Sequence, residues 1–222
     1  MTGCCDPRGY DATFTARSAH RLARRYRRRG LDPLSAKVVQ RCVEHGIDGA
    51  TVLEIGGGVG ELHLELLRRG AATATNLELV GTYERDAAEL VAEAGMTGRV
   101  RRRRLDLTTD PTAVEQADVV VLNRVVCCYP DLAGLLSAAA GRARRLLVLT
   151  YPRSNPVTRV LLALDNGLSA ILGRSYRAFV HPPAEILAVL RAHGLDPAGS
   201  EDGAFWCVTV AARPQPDDAG VM

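Results

Sequence analysis

Short apolar runs alternate with segments of helical periodicity between residue 51 and residue 150. The apolar runs predict strands at residues 51–55, 73–79, 99–105, 118–122 and 145–150. The segments between them predict helices at residues 60–69, 82–94, 111–116 and 131–143. Continuous apolar strands separated by helices are typical of a parallel sheet that is covered on both faces. The pattern therefore predicts a doubly wound α/β fold.

The two ends of the chain follow a different rhythm. Asp32 and Pro33 form a good N-cap and first helical residue for a helix that runs to His45. After residue 152 we expect helices at 156–172 and 182–193 and a last strand at 205–211. We divide the chain into an Arg-rich N-terminal lid segment (1–31), a main domain (32–213) and a disordered tail (214–222).

The most informative motif lies at the end of the first predicted strand. Glu54 is followed by Gly56, Gly58 and Gly60, and Gly57 lies between the first two glycines. Glycines at this point permit positive φ angles and a close approach of a nucleoside ligand to the backbone. The nicotinamide-dinucleotide fingerprint requires a glycine or alanine three residues after Gly58, where this chain has Glu61. The motif is therefore E-x-G-x-G-x-G.

Acidic residues follow three consecutive predicted strands. A carboxylate would repel a dinucleotide pyrophosphate but would attract S-adenosylmethionine, which carries an ammonium and a sulfonium. Glu78, followed by Leu79, ends the second strand, where one carboxylate can bind both ribose hydroxyls. Asp106 follows the third strand, where it can accept from the adenine amino group while Leu107 packs on the ring. The series favours the sulfonium cofactor.

With these residues the chain resembles the class I S-adenosylmethionine-dependent methyltransferases over residues 32–213. The resemblance implies a seven-stranded, mostly parallel sheet whose last strand is antiparallel. It also implies that Glu54 faces the methionine ammonium and that the glycines, Glu78 and Asp106 bind the cofactor. Within this family the chain is loosely similar to small-molecule enzymes such as magnesium-protoporphyrin O-methyltransferases, judged from residues 123–130 and 181–182. It departs from them at Gly57, where those enzymes usually have Cys or Ser.

The acceptor side of the predicted site carries no assignable catalytic residue. Methyl transfer is an in-line displacement, so alignment and desolvation can supply much of the acceleration without a base. Asn123 and Arg124 follow the fourth strand, where we expect contact with cofactor or acceptor. We expect His63 to be a partly exposed surface residue. The candidate catalytic or basic side chains are Asn123, Tyr129, His181, His20, His63 and Asp131.

Arginines raise the alternative of a nucleic-acid methyltransferase. Seven of them crowd the stretch from Arg17 to Arg29, and four more form the run 101–104. Against this reading, the net charge is only +3. Ala19, Leu22, Ala23 and Tyr26 also favour a helix that docks by its apolar face while the arginines stay solvated. We therefore expect a small-molecule acceptor, with a nucleic-acid substrate or a cofactor-binding relative without transfer activity as alternatives.

Length and composition indicate one globular domain: the 222 residues are 47% hydrophobic and 24% charged. No secretory signal or membrane span is apparent, so we expect a cytoplasmic protein. Four of the six cysteines form the adjacent pairs Cys4-Cys5 and Cys127-Cys128, a poor layout for disulfides or for a metal site. We expect the two pairs to border the same pocket. Tyr10 and Phe14 either close over the cofactor or anchor the N-terminal segment.

Overall fold

A computed structural model describes residues 7–214. Its strands form one seven-stranded sheet in the order β3-β2-β1-β4-β5-β7-β6. The strands are β1 Thr51–Ile55, β2 Thr73–Glu78, β3 Val100–Arg104, β4 Ala117–Leu122, β5 Ala143–Pro152, β6 Asp196–Asp202 and β7 Trp206–Ala212. The first five strands are parallel, and β7 pairs antiparallel with both β5 and β6. The predicted fold class is confirmed, including the antiparallel last strand.

Within residues 7–214, the six helices after residue 32 lie close to their predicted positions, and the two before it had no predicted bounds. They are α1 Pro7–Thr13, α2 Ala16–Arg29, α3 Pro33–Glu44, α4 Glu61–Arg68, α5 Glu84–Glu93, α6 Leu132–Arg142, α7 Pro156–Ile171 and α8 Pro183–Ala192. Asp32 caps α3 as expected, because its side chain accepts from the N–H groups of Leu34 and Ser35. The helix predicted at 111–116 is only a 3₁₀ turn over Pro111–Ala113, because Val114 is extended.

The core consists of two apolar layers, one on each face of the sheet. Residues of β4 alternate between them: Val119 and Val121 belong to one layer, Val120 and Leu122 to the other. The first layer includes apolar side chains of α1 to α5, and the second includes those of α6 and α8. This double coverage explains why the central strands β4 and β5 contain apolar runs, whereas the edge strand β3 consists mainly of arginines.

The edge strand β6 was not predicted from the sequence. Its sequence, Asp-Pro-Ala-Gly-Ser-Glu-Asp, is exposed along almost its whole length and contains no alternating apolar face. Such a composition is typical of a turn or loop. The segment is a strand because β7 supplies hydrogen-bond partners along one side, which is enough for an edge position.

The arginine-rich helix α2 docks on the domain by its small apolar side. Ala19, Ala23 and Tyr26 are buried, which confirms the docking face predicted from the sequence. Arg27 bonds to Glu89 and Glu93 of α5, and the other arginines of the helix are exposed. Within residues 7–214, no helix has both the length and the apolar character that a membrane crossing requires.

Candidate functional site

A pocket opens at the carboxyl edge of the sheet, where β1, β2 and β4 end. The predicted cofactor-binding residues that line it are Glu54, Gly56, Gly57, Gly58, Glu78, Leu79, Asp106, Leu107 and Asn123. Gly60, also predicted to bind cofactor, is absent from the lining. The lining further includes Leu22 and Tyr10 from the N-terminal helices, and Glu61 from α4. The topology thus brings the three strand-end acids together.

The glycine loop takes the backbone conformation that its sequence predicts. Gly56, Gly58 and Gly60 have φ angles of 65°, 54° and 88°. Gly60 has a packing role, because a Cβ there would stand 2.3 Å from the imidazole ring of His63. The loop therefore needs glycine for two different reasons, backbone conformation toward the ligand and close packing on the protein side.

His63 is fully buried beneath this loop, so the expectation of a partly exposed His63 was wrong. Its Nδ1 donates to the Glu54 carboxylate at 2.6 Å. The neighbours Leu62 and Leu64 are buried as well, so α4 is enclosed on nearly every side. A histidine inside a leucine-rich helix was the available sequence signal for burial. Glu54 therefore has a partner within the protein before any ligand binds.

Gly57 covers this buried pair. A Cβ at Gly57 would lie 1.9 Å from the amide nitrogen of Asn76 and 2.6 Å from the Glu54 carboxyl group. Asn76 and Glu54 are only 0% and 2% exposed. Buried polar groups thus occupy the space that a Cys or Ser side chain at position 57 would need.

Glu78 ties the end of β2 to the glycine loop. One of its oxygens accepts the Gly58 N–H at 2.9 Å, and the other accepts the Leu79 N–H at 2.8 Å. Burial raises the pKa of Glu78, and these backbone bonds oppose that shift. A carboxylate has about four lone-pair directions, so acceptor capacity is left for ribose hydroxyls.

Glu61 is a site residue that the sequence analysis did not assign. It is the first residue of α4, and it lines the pocket beside Glu54. Its Oε2 is buried and has no hydrogen-bond partner among residues 7–214. Burial and the nearby Glu54 charge raise the pKa of Glu61 to about 7.

This pKa predicts a pH-dependent cost in stability. Because the folded-state pKa lies above the usual 4.5, the folded protein holds this proton more tightly than the unfolded chain. The stability that the bound proton contributes is fully present below about pH 4.5 and is lost as the pH rises through 7. Denaturant unfolding at pH 5 and pH 8 should show Glu61→Gln gaining stability relative to the parent at the higher pH. An equal pH dependence of the two proteins would contradict this assignment.

Asp106 and Tyr129 form a polar pair on the far side of the pocket. The Tyr129 hydroxyl donates to the Asp106 carboxylate at 3.0 Å, and Asp106 also accepts the Thr108 N–H at 3.0 Å. Leu107 is buried beside them. The Asp106 carboxylate is thus held in place where we predict an acceptor for the adenine amino group.

A polar network fixes the segment after β4. Asn123 donates to Ser35 and accepts from Thr150, at 3.0 Å and 3.1 Å. Arg124 pairs with the buried Asp32 at 2.6 Å and has a positive φ of 60°, rare for a residue with a side chain. These bonds attach α3 to the carboxyl edge of the sheet. Both Asn123 and Arg124 line the pocket, as the sequence predicted.

Aromatic side chains and one cysteine form the remaining wall. Tyr10 stacks on Phe14, and Tyr176 contacts both rings edge-on. The Tyr10 hydroxyl donates to the Cys128 carbonyl at 2.7 Å. Tyr10 and Phe14 therefore anchor the N-terminal segment while they border the pocket, and their closing over the cofactor stays a prediction.

The structure describes one of the two cysteine pairs that we expect to border the pocket. Cys128 lines the pocket, its sulfur lies 3.0 Å from the Tyr176 hydroxyl, and the Cys127 sulfur is 3.5 Å away. The hydrogen bond to Cys128 and burial raise the pKa of the Cys127 thiol. Cys4 and Cys5 lie outside the described residues, so their proximity to this pair stays a prediction. Over residues 7–214, no three His, Cys, Asp or Glu side chains are grouped to hold a metal ion.

The other candidate bases lie away from the lining. His181 Nε2 is 3.1 Å from the Tyr129 carbonyl, and its ring stacks on Phe179. His20 is exposed and pairs with Asp86, and Asp131 caps α6. Of the candidates, Asn123 and Tyr129 are the two that border the pocket directly.

The fold and the pocket are of the class I methyltransferase type, and the comparison with protein families agrees. The methyltransferase-domain family matches residues 18–197, so the chain belongs to this family. A comparison with curated protein sequences gave no significant match.

Solved structures share the fold at low sequence identity. Magnesium protoporphyrin IX methyltransferase from Synechocystis PCC 6803, with bound SAH, has a TM-score of 0.73 and 21% identity over 94% of this chain and 100% of that one. A Burkholderia thailandensis 1,6-didemethyltoxoflavin-N1-methyltransferase has a TM-score of 0.64 and 18% identity, covering 95% and 92%. A [4+2]-cyclase has a TM-score of 0.62 and 15% identity, covering 82% and 80%. At these identities the likeness establishes the fold.

Proposed function

We propose that this protein transfers a methyl group from S-adenosylmethionine to a small-molecule acceptor. The observation that carries the proposal is the set of carboxylates around one glycine loop: Glu54, Glu61 and Glu78 line the same pocket. A pyrophosphate among these carboxylates would be repelled, whereas a ligand with an ammonium and a sulfonium would be attracted. The solved relatives from Synechocystis and Burkholderia, which contain SAH, support the same ligand class.

Each part of the pocket suits one part of this cofactor. The open glycine loop accommodates close approach of the ligand, and Glu78 offers its remaining acceptor capacity to the ribose hydroxyls. Asp106 provides an acceptor for the adenine amino group, and Leu107 provides an apolar surface for the ring. Asn123 lies at the end of β4, near the switch point of the sheet where α/β proteins bind ligands.

S-adenosylmethionine supplies an activated methyl group, and sulfur takes the electron pair of the broken C–S bond as the acceptor forms its new bond to carbon. The protein contributes alignment and exclusion of water. The apolar and aromatic wall of Phe14, Tyr83 and Leu135 provides a largely dry surface for these functions. A hydroxyl or amine acceptor passes its proton to solvent or to a nearby base. Tyr129, Asn123 and His181 stay candidates for assisting that step.

The arginine run of β3 is used within the protein, which argues against a nucleic-acid substrate. Arg102 donates to the Gly58 carbonyl at 2.9 Å, and Arg104 donates to the Leu79 carbonyl at 3.0 Å. Arg103 bonds to the Ala113 carbonyl. Three guanidinium groups of the run are therefore engaged within the protein, and those of Arg102 and Arg104 brace loops that line the pocket.

Among the described residues, the four free cysteines support the predicted cytoplasmic location.

The proposal is tested by calorimetric titration of the parent protein. We expect S-adenosylhomocysteine to bind with a micromolar or lower Kd and NAD to give no saturable heat. Saturable binding of NAD, or no binding of S-adenosylhomocysteine, would refute the assignment of the pocket.

A further inference from the structure

One carboxylate oxygen of Glu61, Oε2, is buried without a hydrogen-bond partner within residues 7–214, and a cationic ligand group would supply one. Two acids lie at the methionine end of the pocket, but they differ in their bonding. Glu54 is hydrogen-bonded to His63 and lies under Gly57. Glu61 Oε2 has no partner within residues 7–214 although it is buried at the pocket wall. A buried carboxylate oxygen left without a partner is costly unless a ligand supplies one.

We propose that Glu61 forms the ion pair with the ammonium of the cofactor's methionine moiety, and that Glu54 supports the glycine loop from below. This inference rests on the proposed function and moves the ammonium contact from the predicted Glu54 to a residue of α4. Charged groups from three other elements influence Glu61: Glu54 of β1, Asp32 before α3 and Arg124 after β4. Asp32 and Arg124 pair with each other, so the Glu54 charge dominates the surroundings of Glu61 and favours a bound cation.

Proton linkage gives the proposal a distinctive signature. The pKa of Glu61 near 7 means that part of the protein carries a neutral Glu61 at neutral pH. Binding of an ammonium favours the charged carboxylate, so binding at pH 7 releases a proton and affinity rises between pH 6 and pH 8. The ligand's own amino group is the same for parent and variant, so a difference between the two proteins isolates Glu61.

The test compares two nucleosides on the parent and on Glu61→Gln by calorimetry in buffers of different ionisation enthalpy. S-adenosylhomocysteine should bind at least about tenfold more weakly to the variant at pH 8, the scale of a lost charged hydrogen bond. The number of protons released on binding at pH 7 should be smaller in the variant. 5′-Methylthioadenosine, which lacks the amino-acid end, should bind both proteins equally.

The outcomes separate this inference from the proposed function. Equal S-adenosylhomocysteine affinity and proton release in parent and variant would overturn the role of Glu61 while leaving the methyltransferase assignment intact. Equal weakening for both nucleosides would also overturn it, since the substitution would then have altered the pocket as a whole. A parent protein that binds neither nucleoside would refute the proposed function itself.

A second and independent observation concerns helix α7, which is oriented with its apolar side outward. At about 100° per residue, its large exposed side chains project within about 60° of one direction. They are between 50% and 84% exposed: Val157, Val160, Leu161, Leu164, Leu168, Ile171 and, at the C-cap, Leu172. The polar residues Thr158, Asn166 and Ser169 instead face the protein. Burying polar residues while exposing this stripe indicates an external partner for α7.

The charge of this region favours an anionic partner. The segment 153–177 contains four arginines and a single acid, Asp165. Arg159 projects to the side of α7 opposite the apolar face, and Arg174, two residues beyond the C-cap, is exposed. Phe14, two residues before the arginine-rich helix α2, contacts Tyr176, five residues after the end of α7. A second copy of this chain would bring like charges together across a twofold axis. An anionic lipid surface offers both an apolar interior and negative headgroups.

We infer that the exposed face of α7 lies on an anionic membrane surface. The parent protein should co-sediment with vesicles that contain phosphatidylglycerol and much less with pure phosphatidylcholine vesicles. Leu164→Glu and Leu168→Glu should each reduce the bound fraction severalfold with unchanged circular dichroism, because both side chains are already exposed. Ala163→Glu, on the same helix but off the apolar face, should bind like the parent.

Three results would overturn this inference. The first is a parent that fails to co-sediment with anionic vesicles, and the second is equal binding by the leucine and alanine variants. The third is a dimeric parent and a monomeric Leu164→Glu variant in light scattering, which would assign the face to a second copy of the chain.

Discussion

Replacing Gly57 with alanine should destabilise the protein by about 3 kcal/mol or more and abolish S-adenosylhomocysteine binding. The new Cβ would lie 1.9 Å from the Asn76 amide nitrogen and 2.6 Å from the Glu54 carboxyl group, and both side chains are buried, so the shift that it forces would disturb the core. The substitution would also disturb the bond between Glu54 and His63. Denaturant unfolding and calorimetry measure the two effects.

Two further variants make this prediction specific. Gly98→Ala is the matched control, because no atom lies within 4 Å of a Cβ at that position, and it should behave like the parent. Adding Asn76→Ala to Gly57→Ala should recover part of the lost stability by making space. Wild-type stability and binding in Gly57→Ala would show that the packing under the loop is misassigned.

Replacing Glu78 with alanine should weaken S-adenosylhomocysteine binding by about 2–3 kcal/mol, the scale of charged hydrogen bonds lost. The loss has two sources. The ribose hydroxyls lose their carboxylate, and the Gly58 N–H loses the acceptor that holds the glycine loop in place. Some folding stability should be lost too, on the order of 1–2 kcal/mol, because the carboxylate bonds to the backbone.

Glu44→Ala is the control for Glu78→Ala. Glu44 is an exposed acid at the end of α3 that pairs with Arg41 of the same helix, and its removal should change affinity little. Unchanged affinity in the Glu78 variant would contradict the predicted ribose contact.

The sequence indicated where the acids would meet because sheet topology places strand ends together. Glu54 and Glu78 lie at the ends of β1 and β2 and Asp106 follows β3, and parallel neighbouring strands bring their carboxyl ends to one edge. The series of acids could be recognised from spacing alone. The roles of individual acids could not, because Glu54 finds its partner His63 only once α4 packs on the sheet.

Tertiary context explains the other differences. β6 is a strand only because β7 is available to pair with it, and its polar sequence contains no such information. His63 is buried because α4 is enclosed between the loop and neighbouring helices, a contact that local sequence does not reveal. The outward apolar face of α7 also depends on which side of that helix docks, and periodicity alone favours the opposite orientation.

Transfer of an isotope-labelled methyl group tests the central claim most directly. The protein would be incubated with labelled S-adenosylmethionine and separate metabolite and nucleic-acid fractions of a cell extract. We predict a labelled small molecule that resists nuclease treatment and is absent when Gly57→Ala replaces the parent. Label in RNA or DNA, or no labelled product from either fraction by a protein that binds S-adenosylhomocysteine tightly, would contradict the account.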